Sequence, residues 1–313
     1  MRVFVTGVAG QLGHDCVIEL EKRGHRSIGS DISPVPSYLP PRTEPLGVEP
    51  PDPSYVQLDI TNEQLVKKTI EDLHPDVIIH CAAWTAVDAA EDEENKAKVD
   101  AINHLGTQYI AEATKAVDAK MVYISTDYVF DGQGDRPWQP DDKNYAPLNV
   151  YGSSKLAGEI AVSSTLDKYF IVRIAWVFGL NGKNFIKTMI NVGKTHDSVR
   201  VVDDQIGTPT YTNDLARLLV DMIETDKYGY YHATNSESMP GEFISWADLA
   251  EEAFRAAGMD VKVVRVSTAE YGLSKAARPI NSRLDKSKLV GNGFKPLPDW
   301  KDAVKRYLAE AKL

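Results

Sequence analysis

The chain has 313 residues, of which 43% are hydrophobic and 26% are charged, and its formal net charge is -10. This composition is typical of a globular protein and excludes a disordered, fibrous or membrane-embedded chain. The acidic balance argues against nucleic acid or an anionic membrane surface as a partner, because the field of the whole molecule would repel both.

The first part of the chain alternates short β-branched runs with amphipathic stretches. In chain order the pattern predicts a strand at 3–6, a helix at 11–23, strands at 26–31 and 55–58, a helix at 62–73, a strand at 77–80, a helix at 95–117, a strand at 120–124, a helix at 150–166 and a strand at 170–174. Strands that read as continuous apolar runs and alternate with helices indicate a parallel sheet covered on both faces. The predicted fold class is therefore α/β, with a doubly wound parallel Rossmann sheet.

The alternation breaks after about residue 176, where helices are predicted at 184–192, 213–224, 245–257 and 299–311. This region is interpreted as a smaller, mixed α/β C-terminal lobe. The segment from Ser33 to Pro53 holds eight of the seventeen prolines, and such a run predicts an extended loop.

A glycine-rich turn, GVAGQLG at residues 7–13, directly follows the first strand and opens the first helix. In that context the backbone N–H groups at the helix start are expected to face a pyrophosphate. Asp31 ends the second strand, where a carboxylate accepts from an adenosine ribose and favours NAD over NADP; the alternative is a solvated loop residue. The predicted cofactor-binding residues are Gly7, Gly10, Gln11, Leu12, Gly13, Asp31, Asp59, Ile60, Cys81, Ala82, Ala83, Tyr151 and Lys155.

Three further residues suggest catalysis. Tyr151 and Lys155 are one helical turn apart, so both side chains leave the same face of the predicted helix, and an adjacent ammonium is expected to lower the pKa of the phenol. Lys155 can also hold a nicotinamide ribose. Thr126 ends the fifth strand, at the carboxyl edge of the sheet, where its hydroxyl can donate to a substrate carbonyl oxygen. Each residue taken singly also fits an exposed helix face or a capped turn.

Longer motifs make the chain resemble the dTDP-4-dehydrorhamnose reductases, a family of extended short-chain dehydrogenases. The motifs are GQLG at 10–13, AAWTAVD at 82–88, STDYVFDG at 125–132, PLNVYG at 147–152, VDDQ at 202–205, GTPT at 207–210 and RPINSRLD at 278–285. The resemblance implies that Thr126, Tyr151 and Lys155 are catalytic. It also implies that Asp127 and Tyr128 lie beside the sugar and that Trp176 lines the pocket.

The implied reaction is reduction by NADPH or NADH of the 4-keto group of a nucleotide-linked deoxysugar, dTDP-4-dehydrorhamnose to dTDP-rhamnose. Arg278 and Arg283 are available to clamp the substrate diphosphate, because guanidinium groups bind phosphate bidentately. Nucleotide-sugar dehydratases carry an Asp-Glu pair after the threonine, whereas here Asp127 is followed by Tyr128. Without the second carboxylate an elimination lacks its base, which favours simple hydride delivery.

Two domains follow from this interpretation: residues 1–175 as an NAD(P)-binding Rossmann domain that carries the catalytic residues, and residues 176–313 as a substrate-binding lobe, part of which can return to the first domain. The proline-rich segment is longer than the family pattern, and Arg42 within it is a candidate for a 2'-phosphate. Two alternatives remain: another nucleotide-sugar epimerase or reductase, and a non-catalytic NAD(P)-binding regulatory subunit resembling that of methionine adenosyltransferase.

The remaining expectations concern partners and location. A nucleotide sugar is the expected partner, with no nucleic acid, membrane or metal, and the protein is expected to be a monomer or a homodimer. Two cysteines, Cys16 and Cys81, make no disulfide framework, which fits a reducing compartment. The first strand begins at Arg2 and leaves no room for a signal peptide, so a cytoplasmic location is expected.

Overall fold

The computed structural model describes residues 1–34 and 54–313, so most of the proline-rich segment, including Arg42, lies outside the described residues. The strands are β1 (Arg2–Thr6), β2 (Arg26–Asp31), β3 (Tyr55–Gln57), β4 (Val77–His80), β5 (Lys120–Thr126), β6 (Tyr169–Ile174), β7 (Val177–Phe178), β8 (Ser198–Val202), β9 (Ile206–Gly207), β10 (Thr210–Tyr211), β11 (Gly229–His232), β12 (Asn235–Ser236), β13 (Ile244–Ser245), β14 (Lys262–Val266) and β15 (Leu297–Asp299). The α-helices are α1 (Gln11–Lys22), α2 (Glu63–Leu73), α3 (Glu93–Asp100), α4 (Gly106–Ala116), α5 (Val150–Thr165), α6 (Phe185–Gly193), α7 (Thr212–Ile223), α8 (Trp246–Ala256), α9 (Thr268–Tyr271), α10 (Ser287–Gly291) and α11 (Trp300–Ala311).

The central sheet has the strand order β11-β6-β5-β4-β1-β2-β3, and all its pairings are parallel. The order reverses next to β1, which is the topology of a doubly wound sheet, and the predicted fold class is confirmed. Strand β11 was not identified from the sequence. It comes from the second half of the chain and pairs with β6, so part of residues 176–313 returns to the first sheet.

Two apolar layers enclose this sheet. On one side, buried residues of α1 and α7 form a core with β1, β4 and β6, and on the other side α2 and α4 pack against β4 and β5. Val3, Phe4 and Val5 of β1 are fully buried. Their burial on both faces of the sheet accounts for the continuous apolar run of this central strand.

A separate apolar cluster joins α6, α8 and α11 to the short strands β7, β8 and β10, with Phe178, Phe254 and Tyr307 at its centre. Strands β8 and β14 pair in parallel beside it. This cluster is the core of the second lobe. In the described part of the chain, no helix combines the length and the apolar character that crossing a bilayer requires.

The prediction that 95–117 is helical is confirmed, but the helix is not regular throughout. The structure divides it into α3, a π-helical turn at Ala101–Leu105, and α4. A π turn inserts one residue into the helix and is often found at functional sites. Here it turns Asn103 inward, where the side chain is fully buried and bonds to two other segments.

A buried ion pair ties helix α5 to strand β6. The guanidinium of Arg173 donates from Nε and Nη2 to the two carboxylate oxygens of Glu159, each at 2.8 Å, and both side chains are buried. Arg173 also donates to the carbonyl oxygen of Pro140 at 3.1 Å and to the Tyr145 hydroxyl at 3.0 Å. Because every charge in this cluster is compensated, removal of one partner is expected to be costly.

We expect Arg173→Met to lower the free energy of unfolding by about 3–5 kcal/mol, because it leaves the Glu159 carboxylate buried without its partner. Urea denaturation measures the change. Lys68→Met is the matched control, since Lys68 and Asp72 form an exposed ion pair on α2, and solvent screening leaves such a pair with little effect on stability. A loss from Arg173→Met no larger than that of the control would contradict this account.

Candidate active site

The turn between β1 and α1 brings two stretches of backbone into close contact. Gly7 has a φ of +73°, and a Cβ there would lie 2.6 Å from the nitrogen of Ala82. A Cβ on Gly13 would lie 2.4 Å from the carbonyl oxygen of Gly7. Glycine is therefore required at both positions. Helix α1 begins at Gln11, so its positive N-terminal end stands at this turn, as binding of a pyrophosphate requires.

Asp31 is held against the same turn. Its Oδ2 accepts a hydrogen bond from the backbone N–H of Ala9 at 3.0 Å, which fixes the carboxylate beside the glycines. Asp59 lies after β3, and its Oδ1 accepts from the N–H and hydroxyl of Thr61. Ile60, which follows it, is buried in the core between α2 and α4. The carboxylate of Asp31 and the open turn fit the adenosine and pyrophosphate parts of a dinucleotide.

Small residues follow β4, where the strand leaves the sheet. Cys81, Ala82 and Ala83 are half-buried, and the N–H of Ala82 donates to the Thr6 hydroxyl at the end of β1 at 3.2 Å. Cys16 is buried beneath them in the core, and both cysteines are free thiols. The small side chains leave this edge of the sheet open beside the glycine turn.

Thr126 and Tyr151 meet at the carboxyl edge of the sheet. Thr126 is the last residue of β5 and is buried, and its hydroxyl lies beside Tyr151, where it acts on the pKa of the phenol. Helix α5 carries Tyr151 because its first turn is capped by Asn149, whose Oδ1 accepts from the N–H of Gly152 at 2.7 Å. Lys155 lies one turn further along the helix and is also buried. The structure thus brings together the three residues that were predicted to be catalytic.

The electrostatics of this group differ from the expectation. Burial raises the pKa of the Tyr151 phenol above its ordinary value, the neighbouring Thr126 hydroxyl lowers it in part, and the nearby Asp127 raises it. The predicted lowering of this pKa by Lys155 is therefore wrong for this structure. Burial lowers the pKa of Lys155 to about 7, because a buried ammonium loses its hydration, and Glu159 raises it in part. The Lys155 ammonium nitrogen lies 4.2 Å from the centre of the Tyr123 ring.

Asp127 and Tyr128 adjoin the same hydroxyl. The Tyr128 ring meets the Tyr151 ring edge-on, with 5.6 Å between the ring centres. Asp127 is only 1% exposed, and burial raises the pKa of its carboxyl to about 6. Its Oδ1 accepts from the Thr126 hydroxyl at 3.0 Å, and its Oδ2 accepts from the Ser282 hydroxyl at 2.5 Å. Both residues therefore lie beside Thr126 and Tyr151.

The candidate substrate residues of the C-terminal half have protein partners. Trp176 adopts a φ of +51°, and its ring stacks on Trp246 with 4.1 Å between the ring centres. Arg278 binds Asp88 through both terminal nitrogens, the shorter contact being 2.8 Å. In contrast to the expected paired clamp, Arg278 is tied to that carboxylate.

Arg283 lies further along the same segment as Arg278. Its Nη1 donates to Oδ1 of Asn281 at 3.0 Å, and burial lowers its pKa. Over residues 1–34 and 54–313, no cluster of three or more His, Cys, Asp or Glu side chains is arranged to hold a metal ion.

Two residues of this region were not identified from the sequence. Asn103 of the π turn accepts from the N–H of Trp84 at 2.8 Å and donates to the Ser154 hydroxyl at 2.9 Å, so it links the AAWTAVD segment to helix α5. Ser282 links the C-terminal segment to Asp127. The only sequence signal for Asn103 was the presence of a poor helix former within a predicted helix. Ser282 belongs to the RPINSRLD motif, of which only the two arginines were predicted to bind the substrate.

Comparisons with known proteins agree with the sequence motifs. The family model described as "RmlD substrate binding domain" matches residues 1–313. A dTDP-4-dehydrorhamnose reductase from Streptomyces griseus is 38% identical over 309 residues, which cover 97% of this chain and 91% of that protein.

Solved structures of similar proteins have the same fold. A dTDP-4-dehydrorhamnose reductase from Clostridium acetobutylicum is 38% identical with a TM-score of 0.87, and the match covers 100% of both chains. A dTDP-4-dehydrorhamnose reductase from Bacillus anthracis, solved in complex with NADP, is 38% identical with a TM-score of 0.85, and the match covers 99% of both chains. The chain therefore belongs to the RmlD family, the dTDP-4-dehydrorhamnose reductases whose motifs it carries.

Proposed function

We propose that this protein uses NADPH or NADH to reduce the 4-keto group of dTDP-4-dehydrorhamnose, giving dTDP-rhamnose. The observation that carries the proposal is the meeting of Thr126 and Tyr151 at the carboxyl edge of the sheet, with Lys155 one turn away, beside a turn that accepts only glycine at residues 7 and 13. The relatives named dTDP-4-dehydrorhamnose reductase support the choice of substrate.

The cofactor would lie along the carboxyl edge of the sheet. Gly7, Gly13 and the start of α1 would hold the pyrophosphate, Asp31 the adenosine ribose, and Lys155 the nicotinamide ribose. A bound reduced nicotinamide supplies the hydride that the carbonyl carbon receives. Gly10, Gln11, Leu12, Asp59, Cys81, Ala82 and Ala83 would line this cleft, with Ile60 supporting it from the core.

The residues of the chain supply the proton. Because its pKa is raised, the Tyr151 phenol is protonated at neutral pH and can donate to the oxygen that becomes negative when the carbonyl is reduced. Thr126 would donate a second hydrogen bond to the same oxygen. Asp127 and Tyr128 would adjoin the sugar, while Trp176, Arg278 and Arg283 of the second lobe would face the nucleotide part. Arg278 would have to exchange or share its Asp88 partner to bind a phosphate.

The two alternative functions are less well supported. Against another nucleotide-sugar epimerase or reductase, similar proteins that match along nearly the whole chain are named dTDP-4-dehydrorhamnose reductase. A regulatory subunit has no need of Thr126, Tyr151 and Lys155, and the relatives that match along nearly the whole chain are named as reductases. The cytoplasmic location, the assignment of residues 176–313 to substrate binding and the choice between monomer and homodimer stay predictions.

We expect Tyr151→Phe to lower kcat with dTDP-4-dehydrorhamnose by about 10²–10⁴-fold, since it removes the proton donor and little of the binding surface. Loss of absorbance of the reduced nicotinamide measures the rate, and quenching of protein fluorescence by NADPH measures cofactor affinity, which should stay within about twofold. Tyr271→Phe, on the distant helix α9, is the matched control. A Tyr151→Phe enzyme as active as that control would refute the role of the phenol.

We expect Asp31→Ser to lower activity with NADH more than activity with NADPH. Loss of the carboxylate removes hydrogen bonds between a charged group and the ribose, which are worth about 1.5–3 kcal/mol, so kcat/KM for NADH should fall about 10–100-fold. Activity with NADPH should fall less or rise, because the charge that repels a 2'-phosphate is gone. Initial rates at several concentrations of each cofactor give both values. An equal fall with both cofactors would place Asp31 in support of the turn through Ala9 and not in ribose recognition.

A further inference from the structure

The carboxylate of Asp127 is buried at the end of a chain of hydroxyl groups. Its side chain receives one hydrogen bond from Ser282 and one from Thr126, and the Thr126 hydroxyl lies beside Tyr151. Asp127 and Ser282 are 1% and 2% exposed. Three side chains, those of Ser282, Asp127 and Thr126, thus form one hydrogen-bonded row in which each proton has a limited choice of direction.

Counting donors and acceptors fixes those directions. An ionised carboxylate only accepts, and the Thr126 hydroxyl has one proton and two lone pairs. While Asp127 is ionised, that proton goes to Asp127 Oδ1 at 3.0 Å. One lone pair of Thr126 then accepts from the N–H of Tyr128 at 3.2 Å. In this state Thr126 does not offer its proton to a substrate.

Protonation of Asp127 reverses the row. The carboxylic acid has a proton to donate to Thr126, whose lone pairs are then occupied by Asp127 and by the N–H of Tyr128. The Thr126 proton is released from Asp127. It is then free to point at a carbonyl oxygen beside Tyr151.

We propose that Asp127 and Ser282 are positioning residues that set the direction of the Thr126 hydroxyl, so that Thr126 donates to the substrate beside Tyr151 when Asp127 is protonated. The inference rests on the proposed reduction of a keto sugar. Ser282 acts through Asp127: its hydroxyl stabilises the ionised form, so it controls the pH at which the row reverses.

The carboxyl group of Asp127 ionises close to neutral pH. Burial raises its pKa to about 6, opposed by the hydrogen bonds from Ser282, from Thr126 and from its own backbone N–H. Other titratable or charged groups also face this row. Tyr128 follows Asp127 in the chain, and Tyr151 and Lys155 lie on α5. Arg278 of the C-terminal segment is paired with Asp88 of the AAWTAVD segment.

These groups titrate in different parts of the pH profile of activity. Burial raises the pKa of both tyrosines, so they stay protonated, whereas Lys155 titrates near 7. The contribution of Asp127 is therefore full below about pH 6 and is lost as the pH rises through that value. A step near pH 7 from Lys155 should persist in variants of Asp127.

The experiment compares Asp127→Asn, Ser282→Ala and the control Asp260→Asn, an exposed carboxylate of the second lobe. Asparagine can accept from Ser282 through Oδ1 and donate to Thr126 through Nδ2, so it mimics the protonated acid. In plots of kcat/KM against pH, which report the free enzyme, Asp127→Asn should lose the step near pH 6 and stay within about tenfold of the wild-type maximum. Ser282→Ala removes a donor to the carboxylate and should move the step upward by about one to two pH units.

A second measurement does not depend on activity. Infrared difference titration of the ligand-free protein follows the carbonyl band of a protonated carboxylic acid. Wild-type protein and Asp260→Asn should lose such a band near pH 6, Ser282→Ala at a higher pH, and Asp127→Asn should lack it.

The proposal is overturned if Asp127→Asn keeps the wild-type step, if it is inactive at every pH, or if Ser282→Ala leaves the infrared titration unchanged. If the wild-type protein fails to oxidise NADPH with dTDP-4-dehydrorhamnose, the proposed function fails, and the infrared titration still decides whether Ser282 controls Asp127.

Discussion

Parallel pairing of β1, β4 and β5 places their carboxyl ends at one edge, and polar groups buried there must find hydrogen-bond partners within the protein. Thr6 ends β1 and bonds at 2.7 Å to the ring of His80, which ends β4 and contacts Thr107 at 3.1 Å. Burial lowers the pKa of His80 to about 3, so the ring is neutral and serves as a structural link. Thr126 ends β5 and bonds to Asp127. The same constraint therefore stabilises the sheet edge and orders the Thr126 hydroxyl.

Local sequence signals predicted the elements that build this edge. The strands were found because they are apolar on both faces, and the helices expected to begin at 62, 184, 245 and 299 start one residue later, where Asn62, Asn184, Ser245 and Asp299 are their N-caps. The π turn at Ala101–Leu105 and strand β11 could not be found in this way. Both depend on distant partners: Asn103 on Trp84 and Ser154, and β11 on β6.

The site was predictable where backbone geometry dictates the residue type, and less so where burial decides the chemistry. Gly7 and Gly13 are required by contacts of 2.6 and 2.4 Å, and such a requirement leaves a visible pattern in the sequence. Burial leaves no such pattern, and it reversed the expected shift in the pKa of Tyr151. The partners of Arg278 and Asp127 come from segments that are remote along the chain, so spacing alone could not reveal them.

Central to this account is direct delivery of hydride to a keto carbon at the edge of the sheet, with the proton supplied by Tyr151. The most direct measurement uses NADPH that carries deuterium at the transferred position, with dTDP-4-dehydrorhamnose as substrate and nuclear magnetic resonance of the product sugar. The account predicts deuterium at C4 of dTDP-rhamnose and no exchange of the neighbouring ring hydrogens with solvent. A product without deuterium at C4, or with solvent hydrogen introduced at C3 or C5, would contradict it.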